Sequence, residues 1–232
     1  MSQIEALLLS RDFPYLQPYF YNHPWALRCA LGRGRTAAEY AQSARERAEE
    51  IYRILFPQGA DAVIFNYWIY DRSYSGDPGA DDPGLSDETR RRLLEQNIRQ
   101  EAEQLRFLDA MQSRYRHAVI PDLPTYDPGP EKDCWRSRIF CWRDHRSFHE
   151  PGLLDRQLKD EPGNLDVSLV SFENECVLSV YDHRGCDVVF ADPERFAAFY
   201  PRLEPFFLDY DRVEMARRLR SATTAHSQMN GE

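Results

Sequence analysis

Lysine is nearly missing from this chain. Lys132 and Lys159 are its two lysines, so arginine supplies the rest of the 29 basic residues. Arginine makes planar, bidentate contacts that lysine cannot, but a GC-rich genome gives the same bias, and that plainer reading is preferred. Basic residues are also outnumbered: 38 acidic side chains leave a net charge of −9. Such a chain repels phosphate backbones on average, which excludes general nucleic-acid binding. Arg90-Arg91-Arg92 and Arg217-Arg218 are local exceptions. Acids lie near both, so they are expected on solvated helix faces. No run of about 18 apolar residues exists, which argues against a membrane-spanning helix. The opening MSQIEALLLSRDF lacks a basic n-region, so no signal peptide is expected. The five cysteines, at 29, 134, 141, 176 and 186, form no C-x-x-C pair. Without an export signal they are expected to stay reduced, in the cytoplasm. The familiar nucleotide and hydrolase signatures, G-x-x-x-x-G-K-S, G-x-G-x-x-G and G-x-S-x-G, are absent as well.

Aromatic residues are what the chain has in quantity. Thirteen Tyr, thirteen Phe and four Trp in 232 residues, with 42% hydrophobic residues, supply a core that needs no disulfide or metal. Residues 25–31 read as a strand entered through Pro24. Thr36 and Glu39 form a capping box. Ala37, Ala41, Ala44, Ala48, Ile51 and Leu55 then follow at helical spacing to Pro57. The β-branched and aromatic run 62–70 reads as a buried strand. The Pro-, Gly- and Asp-rich stretches 73–84 and 121–132 read as loops. Between them, Ser86 caps a helix on which Leu94, Ile98, Ala102, Leu105, Leu108, Met111 and Tyr115 keep helical spacing. A strand is expected at 137–143, a short helix at 153–158, and a strand meander at 166–172, 176–181 and 187–191. In the last turn of that meander Gly185 is expected to supply a positive φ. Asp192-Pro193-Glu194 starts a helix that should stop at Pro201, and a last helix covers 211–219. Residues 221–232 are expected to form a flexible tail.

Four segments carry a resemblance to a known family: YNHPWALRCALG (21–32), YAQSARERAEEIYRILF (40–56), VYDHRGCDVVFA (180–191) and FYPRLEPFFLDYDR (199–212). Together they resemble the bacterial domain of unknown function 3885 family. Its usual features are an L-R-F-E-L-like strand, a helix with A-x-x-R-A, a Y-D-D-R-G-x-D hairpin and a closing W-x-L-D-Y-D-R. His183 stands where the family's second aspartate is usual, and Cys29-Ala30 where an aromatic–acid pair is usual. Residues 73–131 read as a variable insertion. The resemblance implies kinship and carries no activity.

The candidate binding residues are Asp182, His183, Arg184 and Asp187 in the hairpin, and Asp209, Asp211 and Arg212 before the last helix. An arginine flanked by carboxylates can face a partner or anion, or can tie down its own turn. The second reading is favoured for Arg184. His145 and His149, with Asp144 and Glu150 beside them, have H-x-x-x-H spacing, and Cys134 and Cys141 lie nearby. The order lacks H-E-x-x-H and matches no zinc finger, so no metal, no cofactor and no catalytic residue are assigned. The expected architecture is a single α+β domain over 1–220, with a mostly antiparallel sheet, helices packed mainly on one face and a helical insertion. The expected function is a non-enzymatic, immunity-like interaction module acting on another protein. The alternative is a small-molecule enzyme with a polar site near the 182–187 hairpin and the 144–150 loop.

Overall fold

A computed structural model describes residues 3–9, 19–70, 86–114, 116–124, 134–142, 158 and 165–229. In chain order the elements are α1 (Gln3–Leu9), α2 (Tyr19–Asn22), β1 (Ala26–Ala30), α3 (Ala37–Leu55), β2 (Ala62–Tyr70), α4 (Asp87–Arg114), β3 (Arg116–Pro124) and β4 (Cys134–Trp142). Then come β5 (Leu165–Ser171), β6 (Cys176–Asp182), β7 (Gly185–Phe190), α5 (Pro193–Leu203), two 3-10 turns at Glu204–Phe206 and Asp209–Asp211, and α6 (Arg212–Met229). The fold is α+β, and the registered strand pairs are antiparallel. The described residues cluster into two compact units: those within 3–63 with 158 and 167–229, and those within 64–142 with 165–166.

In the first unit the strands run β1-β7-β6-β5. Strand alternation sends Cys186, Val188 and Phe190 to one face of β7 and Asp187 and Val189 to the other. On the first face Phe190 stacks on Phe199 of α5, with ring centroids 5.3 Å apart, and meets Phe196 edge-on. On the other face Asp187 accepts the backbone N–H of Phe20, which brings in α2. The α3 capping box forms as expected: Thr36 accepts from the Glu39 N–H, and Glu39 accepts from the Thr36 N–H. The buried stripe of α3 starts later than the alanine spacing suggests, at Ala44, and runs through Ala48, Ile51 and Leu55, while Ala37 and Ala41 are exposed. Glu175, at a φ of 49°, turns β5 into β6. Its carboxylate accepts the N–H groups of Gln3 and Ile4 and so caps α1.

Several boundaries differ from expectation for physical reasons. Pro201 lies inside α5. A proline there removes one late intrahelical bond, and the buried Phe196, Phe199, Tyr200 and Leu203 keep that helix turning. The last helix passes residue 219 and continues to Met229. Arg217 is exposed as expected, but Arg218 is not on a solvated face: its guanidinium lies 4.2 Å over the Phe20 ring, and its side chain is 11% exposed. Gly185 does not have a positive φ. The positive-φ glycines among the described residues are Gly34 and Gly59. Gly185 is there because of close approach: a Cβ would sit 2.9 Å from the Cys29 carbonyl oxygen and 3.0 Å from the Tyr181 hydroxyl.

In the second unit the order is β2-β4-β3. Residues 121–124, expected in a loop, are strand. The pairing of β3 slips between Ile120 and Leu123, and Pro121 sits at that irregularity. An edge strand with a bulge tolerates a missing N–H. The α4 helix is unbroken, and the Ser86 hydroxyl accepts the Thr89 N–H at its start. Of its expected apolar face Leu108 and Met111 are buried, whereas Ile98, Ala102 and Leu105 are exposed. Phe65 of β2 meets Phe107 edge-on. Among the described residues no helix is long and apolar enough to cross a membrane. Residues 73–84, 125–132 and 153–157 lie outside the described residues.

Two outcomes follow from the first unit. Gly185→Val forces β1 and β7 apart, and a thermal melt should show a loss of about 1–3 kcal/mol; an unchanged midpoint would mean that the strands give way freely. His23 is 8% exposed, and burial, then the Arg218 charge, lower its pKa from the ordinary 6.5 to about 4. As pH falls the unfolded chain takes up a proton that the folded chain refuses. The neutral imidazole's contribution is therefore complete above about pH 6.5, declines on acidification and levels off near pH 4. Denaturation across that window should lose up to about 3 kcal/mol, and His23→Gln should flatten the slope.

Candidate functional site

Arg28 stands in the apolar strand ALRCA, and Asp187 stands in the equally apolar GCDVVF. A charge inside each strand needs a partner, because a buried unpaired ion costs several kcal/mol. The β1–β7 register sets Arg28 opposite Asp187. The Arg28 Nε donates to Asp187 Oδ1 at 3.1 Å, and the Asp187 side chain is 1% exposed. The Tyr181 hydroxyl donates to the same oxygen at 3.3 Å, and the Phe20 N–H donates to Oδ2 at 2.9 Å. The Arg28 Nη1 donates to the Tyr21 hydroxyl at 2.9 Å and lies 3.6 Å from Asp211 Oδ2. The guanidinium is also 4.6 Å from the Tyr21 ring centroid and 5.3 Å from that of Phe20. Asp211 is 5% exposed, and its Oδ2 has the Arg28 ion pair but no hydrogen bond.

Burial pushes the Asp187 carboxyl above its ordinary range, while the Arg28 guanidinium and the Phe20 N–H pull it back. Burial, then the Asp187 charge, pushes the Tyr181 hydroxyl up, so it stays protonated and remains a donor. Burial works against the Arg28 charge, but Asp187 outweighs it and holds Arg28 protonated. The arrangement is an ion-pair and hydrogen-bond cluster assembled from α2, β1, β6 and β7.

The expected site residues fall into three groups. Asp187 and Asp211 meet at Arg28. Asp182, His183 and Arg184 form the hairpin tip. There the Asp182 carboxylate accepts the Arg184 backbone N–H at 2.7 Å and pairs with its guanidinium, whose side chain is 74% exposed. Partial burial works to raise the Asp182 pKa, but its bonds to the Arg184 side chain and backbone outweigh it and hold it down. His183 meets the Tyr40 ring edge-on at 5.4 Å. In the third group Arg212 donates to Asp209 at 2.7 Å on the surface. The Cys186 thiol is pushed up by its contact with Cys29 and by burial, which leaves it protonated. Asp144, His145, His149 and Glu150 lie outside the described residues; Cys134 and Cys141 lie near the two ends of β4. Arg28, Phe20, Tyr21 and Tyr181 escaped the sequence reading. The available signal was an arginine and an aspartate each isolated in an apolar strand.

Arg28→Met would leave two buried carboxylates without their cation. It should cost about 3–5 kcal/mol in chemical denaturation, against about 0–1 kcal/mol for Arg184→Ala at the exposed tip. Equal costs would show that Arg28 is not the hub of the cluster.

No curated protein and no solved structure matches the chain. The family described as domain of unknown function (DUF3885) matches residues 6–211, a span that includes Arg28, Asp187 and Asp211. The chain therefore belongs to that family.

Proposed function

We propose that residues 1–220 act as a non-enzymatic protein-interaction module of the bacterial cytoplasm, in the manner of an immunity protein that neutralises its partner. One observation carries this reading. Tyr210, Val213 and Tyr21 stand 86%, 81% and 58% exposed beside the Arg28–Asp211 cluster. Tyr21 is bonded to Arg28, and Tyr210 and Val213 flank Asp211 in the chain. Large apolar side chains on a rigid, preorganised base suit a binding hot spot, since little side-chain freedom remains to be lost on docking. The exposed Asp209 and the net charge of −9 favour a basic partner by steering.

The enzyme alternative has one observation on its side, the buried Asp211 Oδ2 that lacks a hydrogen bond. The two readings separate by experiment. Tyr210→Ala combined with Val213→Ser should leave the melting midpoint unchanged. It should also weaken, by at least about tenfold, capture of a protein that copurifies with the unmodified chain, as loss of a hot spot does. Full retention of the partner by that variant would overturn the docking face.

A further inference from the structure

Behind α2 the first unit contains a cavity of about 350 Å³ lined by Tyr21, His23, Trp25, Arg217, Arg218 and Ser221, among others. That volume falls within the range of small-molecule pockets. Its lining combines two features that serve a common ligand. Tyr21 and Trp25 offer flat apolar rings, both partly exposed. Arg217 and Arg218 share a single carboxylate. Arg217 grips Glu214 with Nε and Nη2 at 2.7 and 2.6 Å, and Arg218 reaches the same carboxylate with Nε at 2.9 Å. Two guanidiniums against one carboxylate leave a surplus positive charge beside the cavity.

Donors are left over too. The Arg218 Nη1 is fully used on the carbonyl oxygens of His23 and Ala26. Among the described residues neither Arg218 Nη2 nor Arg217 Nη1 has a hydrogen bond. Arg218 is fixed by these bonds and by the Phe20 ring beneath it, so its unused Nη2 is preorganised. Burial keeps His23 neutral near pH 7, so it adds no charge of its own. Charge-assisted N–H groups from two neighbouring guanidiniums can each take one oxygen of a single carboxylate, and flat rings stack best on another ring.

We propose that this cavity binds a small aromatic carboxylate, its ring against Tyr21 and Trp25 and its carboxylate on the N–H groups of Arg217 and Arg218 that Glu214 leaves unused. This site shares Tyr21 with the docking face but uses neither Tyr210 nor Val213, so it does not depend on that reading.

The test is a calorimetric or NMR titration of the intact chain with benzoate, with benzamide as the neutral isostere, acetate as the ringless anion and phenyl phosphate as the other aromatic anion. Benzoate should saturate with a Kd of about 1 mM or tighter. Benzamide and acetate should each bind at least about tenfold more weakly, because each lacks one half of the recognition. Phenyl phosphate binding as tightly as benzoate would overturn the choice of carboxylate. Arg217→Ala, at an exposed position whose loss should spare the fold, should weaken benzoate by about tenfold. Ser221→Trp should fill the cavity and abolish binding. Absence of saturation by about 10 mM benzoate, equal binding of benzamide, or undiminished binding by a folded Arg217→Ala chain would each overturn the proposal.

Discussion

A carboxylate shut away from water governs this fold. Asp187 is fully buried in the strand next to the edge strand β1, and an ion there is tolerable only if its lone pairs are occupied. The occupants come from different places. Arg28 is on the neighbouring strand, the Phe20 N–H is on α2, and the Tyr181 hydroxyl is on β6. Arg28 then extends the chain of charges to Asp211 ahead of α6. One buried charge thereby fixes the mutual placement of a helix, two further strands and a 3-10 turn, which apolar packing alone would leave less sharply specified.

The same strand shows how an exposed sheet edge is managed. Alternate residues of β1 turn their backbone groups away from β7. The Ala26 carbonyl is taken by Arg218, the Arg28 carbonyl by the Leu208 N–H, and the Ala30 carbonyl by Arg47. The outward Arg28 N–H reaches the Met215 sulfur. A free row of such groups would invite pairing with another chain. Two arginines and the segment at 207–208 close it, so part of the arginine content has a structural use that lysine's point charge would serve less well.

What could be read from the sequence was local. The Thr36–Glu39 box, the Asp192-Pro193 start, the Ser86 cap and the meander of β5 to β7 all depend on residues a few positions apart, and these were legible. The Asp182–Arg184 pairing was legible for the same reason. The Arg28–Asp187 pair was not, because it depends on a strand register between distant segments. Gly185 was assigned the wrong constraint. Its neighbours in sequence suggest a turn needing a special φ, whereas the actual limit is the Cys29 carbonyl brought near by that same register. Strand 121–124 was hidden by prolines that only an edge position makes acceptable.

The distance along the chain between Arg28 and Asp187, 159 residues, also bears on how this protein is made. During synthesis at about 5–20 residues per second, β1 and α2 emerge roughly 10–30 s before the strand that satisfies them. The helix α1 waits similarly for Glu175. For that interval Tyr19, Phe20, Leu27 and Leu31, which the finished fold buries completely, have no partner strand. A truncation just short of residue 185 would remove the carboxylate that Arg28 and the Phe20 N–H meet.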